Sequence, residues 1–142
     1  MINQWMHEEW ALVATIDPID ANNADTSSDE VDMSKFHQVG VWILLGVLND
    51  SATNTVTVEE SATSGGSFTT ISGKSQAITG TADGFQYFIG VKSEEMGAGM
   101  RYLRVTQANS SHAQLVAIVV FGQPRYKPGT GQDLSTVQTA VL

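Results

Sequence analysis

Turn signals interrupt this chain at intervals of about 8–15 residues, and no stretch between them sustains a 3.6-residue apolar period, so the segments they bound read as short strands. Glycine, serine, asparagine and aspartate cluster at residues 49–54, 61–67, 79–84, 93–99 and 108–111. Each cluster separates two apolar or alternating runs. Residues 11–16 form a short apolar run that Asp17 and Pro18 end, because proline removes a ladder donor and restricts the residue before it. Residues 39–48 form a long run with β-branched and aromatic members, which reads as a central strand buried on both faces.

Strict alternation marks the next strand, residues 55–60, and points Val56 and Val58 inward. Short strands follow at 68–71 and around Ala77 and Ile78, on either side of a turn at Ser72, Gly73 and Lys74. Residues 85–92 place Phe85, Tyr87, Ile89 and Val91 on one face. Residues 100–107 alternate again, with Tyr102 or Leu103 inward according to register, and residues 112–121 form the last buried strand. About eight such strands predict one all-β domain: a β-sandwich, jelly roll or β-tulip-like fold. A chain of 142 residues suits a single domain. The expected division is an N-terminal arm at 1–10, the β domain at 11–122, and an extended C-terminal arm at 123–142. That second arm has two prolines and two glycines and too few apolar residues to fold alone.

Cysteine is absent, which excludes disulfides and thiolate metal sites and fits synthesis in a reducing cytoplasm. The first ten residues lack a basic region followed by an apolar core, so no signal peptide is expected. No apolar stretch approaches the roughly 20 residues of a membrane helix. The net charge of −8 is uneven. Residues 1–60 hold eleven acids against Lys35, and residues 61–142 hold four acids against six bases. An acidic domain repels phosphate, so nucleic acid is not an expected partner. Either the acidic part is a solvated face, or it meets a basic tail on another copy or another protein.

Catalytic patterns are missing. His7, His37 and His112 sit in different elements without metal-ligand spacing. Residues 20–32 are acidic, small and polar, a loop by composition, but they lack the alternating ligands, central glycine and terminal glutamate of a calcium loop. Glu59 and Glu60 are neighbours on a strand and point to opposite faces, so they cannot form an acid–base pair. Ser64, Gly65, Gly66 and Ser67 are a turn, not a phosphate loop, because no helix follows. No nucleophile elbow or dinucleotide fingerprint occurs, and no cofactor is expected. The residues best suited to contacts are Trp5 and Trp10 in the first arm and Arg125, Tyr126 and Lys127 in the second. Planar cations and aromatic rings are enriched at interface hot spots.

Several segments together resemble small structural proteins of tailed bacteriophages and prophages: IDANNAD (19–25), VDMSKFHQV (31–39), VTVEESATSGGSF (56–68), VKSEEM (91–96), RYLRVT (101–106) and VVFGQPRY (119–126). The similarity spans residues 10–128, and its motifs are degenerate. It implies a non-enzymatic virion component of the head-decoration (cement) type, made in the host cytoplasm and seated on the capsid surface. The partners it implies are the major capsid protein and further copies of the chain, often as a trimer, with no membrane. It assigns no individual functional residue. The alternatives are a tail or baseplate component, or a carbohydrate-binding surface module. The latter needs aromatics on one face; Trp42, read as buried, argues against it, while Trp5 and Trp10 leave it open.

Overall fold

A computed structural model describes residues 9–20, 24–110 and 114–126, the side chains of residues 19 and 20 excepted. Nine strands run through these residues: β1 (Ala11–Asp20), β2 (Thr26–Ser27), β3 (Val31–Asp32), β4 (Phe36–Leu48), β5 (Thr53–Ser61), β6 (Thr69–Thr79), β7 (Gln86–Lys92), β8 (Tyr102–Asn109) and β9 (Gln114–Pro124). They form two antiparallel sheets packed as a β-sandwich. One sheet has the order β1-β9-β4-β7; the other has the order β2-β8-β5-β6, with β3 also pairing β8. The chain is therefore all-β, as the turn spacing predicts.

The core lies between the sheets. Val39, Val41, Ile43 and Leu45 of β4 and Val116, Ile118 and Val120 of β9 face Val56 and Val58 of β5, Leu103 and Val105 of β8, Ile71 and Ile78. All are buried. Period 2 along each strand makes these rows, and each fully buried side chain contributes about 1.5–3 kcal/mol. One end is closed by the Phe36 ring lying over Gly122, where an added Cβ would come within 2.6 Å of the ring. Buried amides fill the other end. The Asn109 side-chain oxygen accepts from Asn54 at 2.6 Å and from Gln107 at 2.8 Å.

Several local expectations change. Pro18 does not end β1, which resumes pairing at Ile19 after an irregularity opposite Ile118 and Val116. Pro18 is exposed there, as a proline in an edge strand should be. The turn expected at Gly73 is a bulge inside one continuous strand, β6, and Gly73 takes the positive φ of +75° that a β-carbon resists. Residues 20–32 are not all loop, because β2 and β3 pair with β8. β8 turns Leu103 inward and leaves Tyr102 half-buried. β9 runs on to Pro124, two residues past the expected domain edge.

Ion pairs fix the loops. Asp32 accepts from Arg101 in a bidentate pair at 2.9 and 2.7 Å, which ties the β3 segment to the start of β8. The Glu30 carboxylate accepts from Ser64 Oγ and the Gly65 N–H, holding the glycine turn.

Two outcomes test this layout. Ile43→Ala should cost about 2–5 kcal/mol in chemical denaturation, whereas Val47→Ser, four residues on, should change stability by less than about 0.5 kcal/mol. The Arg101 hydrogen bonds hold the Asp32 carboxyl well below the usual carboxylate range. A depressed folded value contributes stability above the unfolded value of about 3.9 and loses it as pH falls below that. Asp32→Asn should therefore lower Tm at pH 7, and the gap from the parent chain should close progressively below about pH 5.

Candidate functional site

The two sheets have unlike outer faces. On the β5-β8-β6 side that face is polar: Thr55, Thr57, Glu59, Arg104, Thr106 and Ser75 stand on it, joined by cross-strand pairs. Glu59 accepts from Arg104 Nε at 2.8 Å and from Thr106 Oγ1 at 3.0 Å, and the Arg104 guanidinium stacks 4.2 Å from the Phe68 ring.

On the β1-β9-β4-β7 side the outer face is apolar and uncharged through its middle. The register sets it out in rows. Gly90, Gly40, Phe121 and Leu12 share one level; Phe88, Trp42, Val119 and Thr15 the next; Gln86, Leu44 and Ala117 the third. Trp42 is 45% exposed, Phe88 64% and Leu44 36%. Their rings and chains are held in place. Trp42 and Phe88 meet edge to face with centroids 6.2 Å apart, and Trp42 Nε1 donates to Gln86 Oε1 at 3.0 Å. Beyond the third row an irregularity in β4 brings Gly46 and Val47 to the outside together, and Val47 is 73% exposed.

Glycine shapes this face. An added Cβ on Gly40 would come within 2.7 Å of the Phe88 ring, and one on Gly46 within 2.7 Å of Leu115. Both large side chains thus lie down over bare backbone instead of standing clear of the sheet. At the Gly40–Gly90 end a shallow cavity of about 230 Å³ remains, lined by Trp10, Gln38, Val39, Gly40, Phe88 and Gly90. The apolar area ends at the Gln38–Gln123 amide pair, 3.0 Å apart, and at Lys92, which pairs loosely with Glu94 at 3.8 Å.

The contact residues expected from the sequence fall at one end of this face or outside the described residues. Trp10 is half-buried in the glycine cavity. Arg125 donates to Ser93 Oγ at 3.0 Å and approaches His37 Nδ1 at 3.3 Å. With Met33, Ser34, Ser93, Met96 and Arg101 it lines a second cavity of about 270 Å³. Tyr126 is 84% exposed. Trp5, Lys127, His7 and His112 lie outside the described residues. Among the described residues no three His, Asp or Glu side chains gather to hold a metal ion. Glu59 and Glu60 diverge as expected: Glu60 is buried and accepts from the Gly97 N–H.

Two expectations are overturned. β4 is buried on one face only, because nothing in the described chain covers Trp42 and Leu44. Phe85 does not share the inward row with Tyr87, Ile89 and Val91; it precedes β7 and is exposed. The sequence reading missed Trp42, Leu44, Phe88 and Val47 as surface residues. An unbroken apolar run has the same appearance whether its second face is core or interface.

No family model matches the chain, and no curated protein matches it. Among solved structures it is similar to the K3 adhesin domain of Lys-gingipain from Porphyromonas gingivalis, at 16% identity and a TM-score of 0.49, over 70% of this chain and 64% of that one. The chain thus spans less than two thirds of that domain. It is also similar to the SPBc2 prophage-derived protein YomS, at 15% identity and a TM-score of 0.45, over 75% of this chain and 90% of that one. A third is a carbohydrate-binding module specific for non-crystalline cellulose, at 11% identity and a TM-score of 0.44, over 71% of this chain and 65% of that one. These likenesses assign no function to this chain.

A surface residue held by one ring contact should contribute little to folding. Phe88→Ala should cost about 1 kcal/mol in denaturation at low protein concentration, against about 3–5 kcal/mol for an aromatic in a core.

Proposed function

We propose that this chain is a non-enzymatic structural component of a tailed-phage or prophage virion, of the head-decoration type, which binds the capsid shell and ties neighbouring capsomers together. The observation that carries the reading is the uncharged apolar face built on Trp42, Leu44, Phe88 and Val119, on a domain whose opposite face is polar and whose net charge is −8. An isolated soluble domain gains nothing from holding such a face open to water. An assembly part does, because many copies add weak contacts through avidity. The sequence resemblance set out above supports the virion setting. In this reading the exposed end at Arg125 and Tyr126, with the arms that flank the domain, reaches the shell, whose major capsid protein is the partner.

One observation favours a carbohydrate-binding module: Trp42 and Phe88 stand on a sheet face, where sugar rings can stack. A sugar site also needs several free polar groups around the aromatic. Of the polar groups beside this pair, Gln86 Oε1 is taken by Trp42, and Gln38 Nε2 and Gln123 Oε1 by each other. The virion reading therefore ranks first.

Co-sedimentation with head shells from the phage or prophage that carries the coding sequence tests it. The chain should bind to saturation at a fixed number of copies per capsomer. Arg125→Ala combined with Tyr126→Ala should weaken binding about tenfold or more. Binding to purified tails but not to shells would reassign the chain to the tail. Retention on polysaccharide that disappears with Trp42→Ala would favour the sugar-binding module.

A further inference from the structure

We infer that the apolar face packs against the same face of a second copy, about a two-fold axis that crosses the strands at the level of Trp42 and Leu44. The occupant follows from three properties of the face.

The first is charge. Two copies at −8 each repel one another. The bases Arg101, Arg104 and Lys74 are already paired within the chain, with Asp32, Glu59 and Glu95. With Lys92, which lies 3.8 Å from Glu94, four of the seven bases are thus paired within the chain. Between Gln38 and Leu115 the face carries no charged side chain on β4, β7 or β9, so two copies meet there without burying a charge.

The second is flatness. Phe88 and Leu115 lie over Gly40 and Gly46, leaving a sheet surface low enough for another sheet to approach at the usual spacing of about 10 Å.

The third is self-complementarity. One end of the face has the shallow cavity beside Gly40 and Gly90, walled by Trp10, Gln38 and the Phe88 ring; the other end has the protruding Val47. Trp42 and Leu44 lie between them on the same strand. A two-fold axis across the strands exchanges the ends, so Val47 of each copy comes over that cavity of the other while β4 crosses β4. Such a contact is isologous and closes at two copies, unlike the three-fold ring that the family resemblance implies.

The proposal goes beyond the virion reading and fails separately from it. A monomer in solution overturns the pairing and leaves the shell titration untouched.

Light scattering on the full chain across protein concentration and salt tests it. The expected mass is twice 15.2 kDa, and pairing should strengthen with added sodium chloride, because salt screens the repulsion between the acidic copies. Trp42→Lys and Trp42→Glu should each be monomeric, with unchanged circular dichroism and unfolding transitions. An equimolar mixture of the two should recover a heterodimer, because residue 42 lies beside its own counterpart near the axis. Deleting residues 1–8 should leave the pairing intact. The proposal is overturned by a monomer at every concentration, by a trimer, by a dimer that salt weakens, or by a dimer indifferent to Trp42→Lys. Pairing that is lost with residues 1–8, or appears only without them, assigns the face to the N-terminal segment and overturns it equally.

Discussion

β4 is bonded on both edges, to β9 along one side and to β7 along the other, and its alternating residues serve two surfaces at once. Val39, Val41, Ile43 and Leu45 build the core; Gly40, Trp42, Leu44 and Gly46 build the outer face. The inner row packs the two sheets together, each fully buried aliphatic contributing about 1.5–3 kcal/mol. The outer row adds little to folding in water. Among the described residues nothing covers its apolar area.

The glycines separate this surface from a second core. Were Gly40 and Gly46 larger residues, Phe88 and Leu115 could not lie across them, and the sheet would present standing side chains. A rough apolar face needs a partner shaped to fill it, whereas a flat one accepts another sheet. The edges of the sandwich, in contrast, resist open-ended pairing. β1 carries two irregularities and Pro18, and Lys74 reaches across to the Gly90 carbonyl of the edge strand β7. Open-ended pairing at the strand edges is thereby disfavoured.

Much of the fold was legible in the sequence because turn chemistry and period-2 patterning are local. Val56, Val58, Tyr87, Ile89 and Val91 point where alternation places them, and the glycine turns fall where expected. Non-local effects were not legible. Gly73 looks like a chain reversal, yet pairing with β5 carries β6 straight past it as a bulge. Pro18 looks like a terminus, yet β1 resumes against β9. The candidate site was hidden for a different reason. In a run such as residues 39–48 both faces are apolar, so alternation carries no contrast, and only the neighbours of β4 decide which face is covered. The positions of Gly40 and Gly46 were the available clue, since both fall on the same side as Trp42.

The charge asymmetry along the sequence turns inward in three dimensions. The acid-rich first half suggested a surface for a basic tail on another copy. In the folded chain many of those acids hold their own loops and strands. Asp32 pairs with Arg101 and Glu59 with Arg104; Glu30 caps the turn at Gly65; Asp25 accepts from the Asn109 N–H. In the second half, Asp83 does the same for the Leu48 N–H. Electrostatics here stabilises one domain and keeps copies apart at long range. Among the described residues the Trp42 face is where a short-ranged, uncharged contact of the proposed kind would bury no charge.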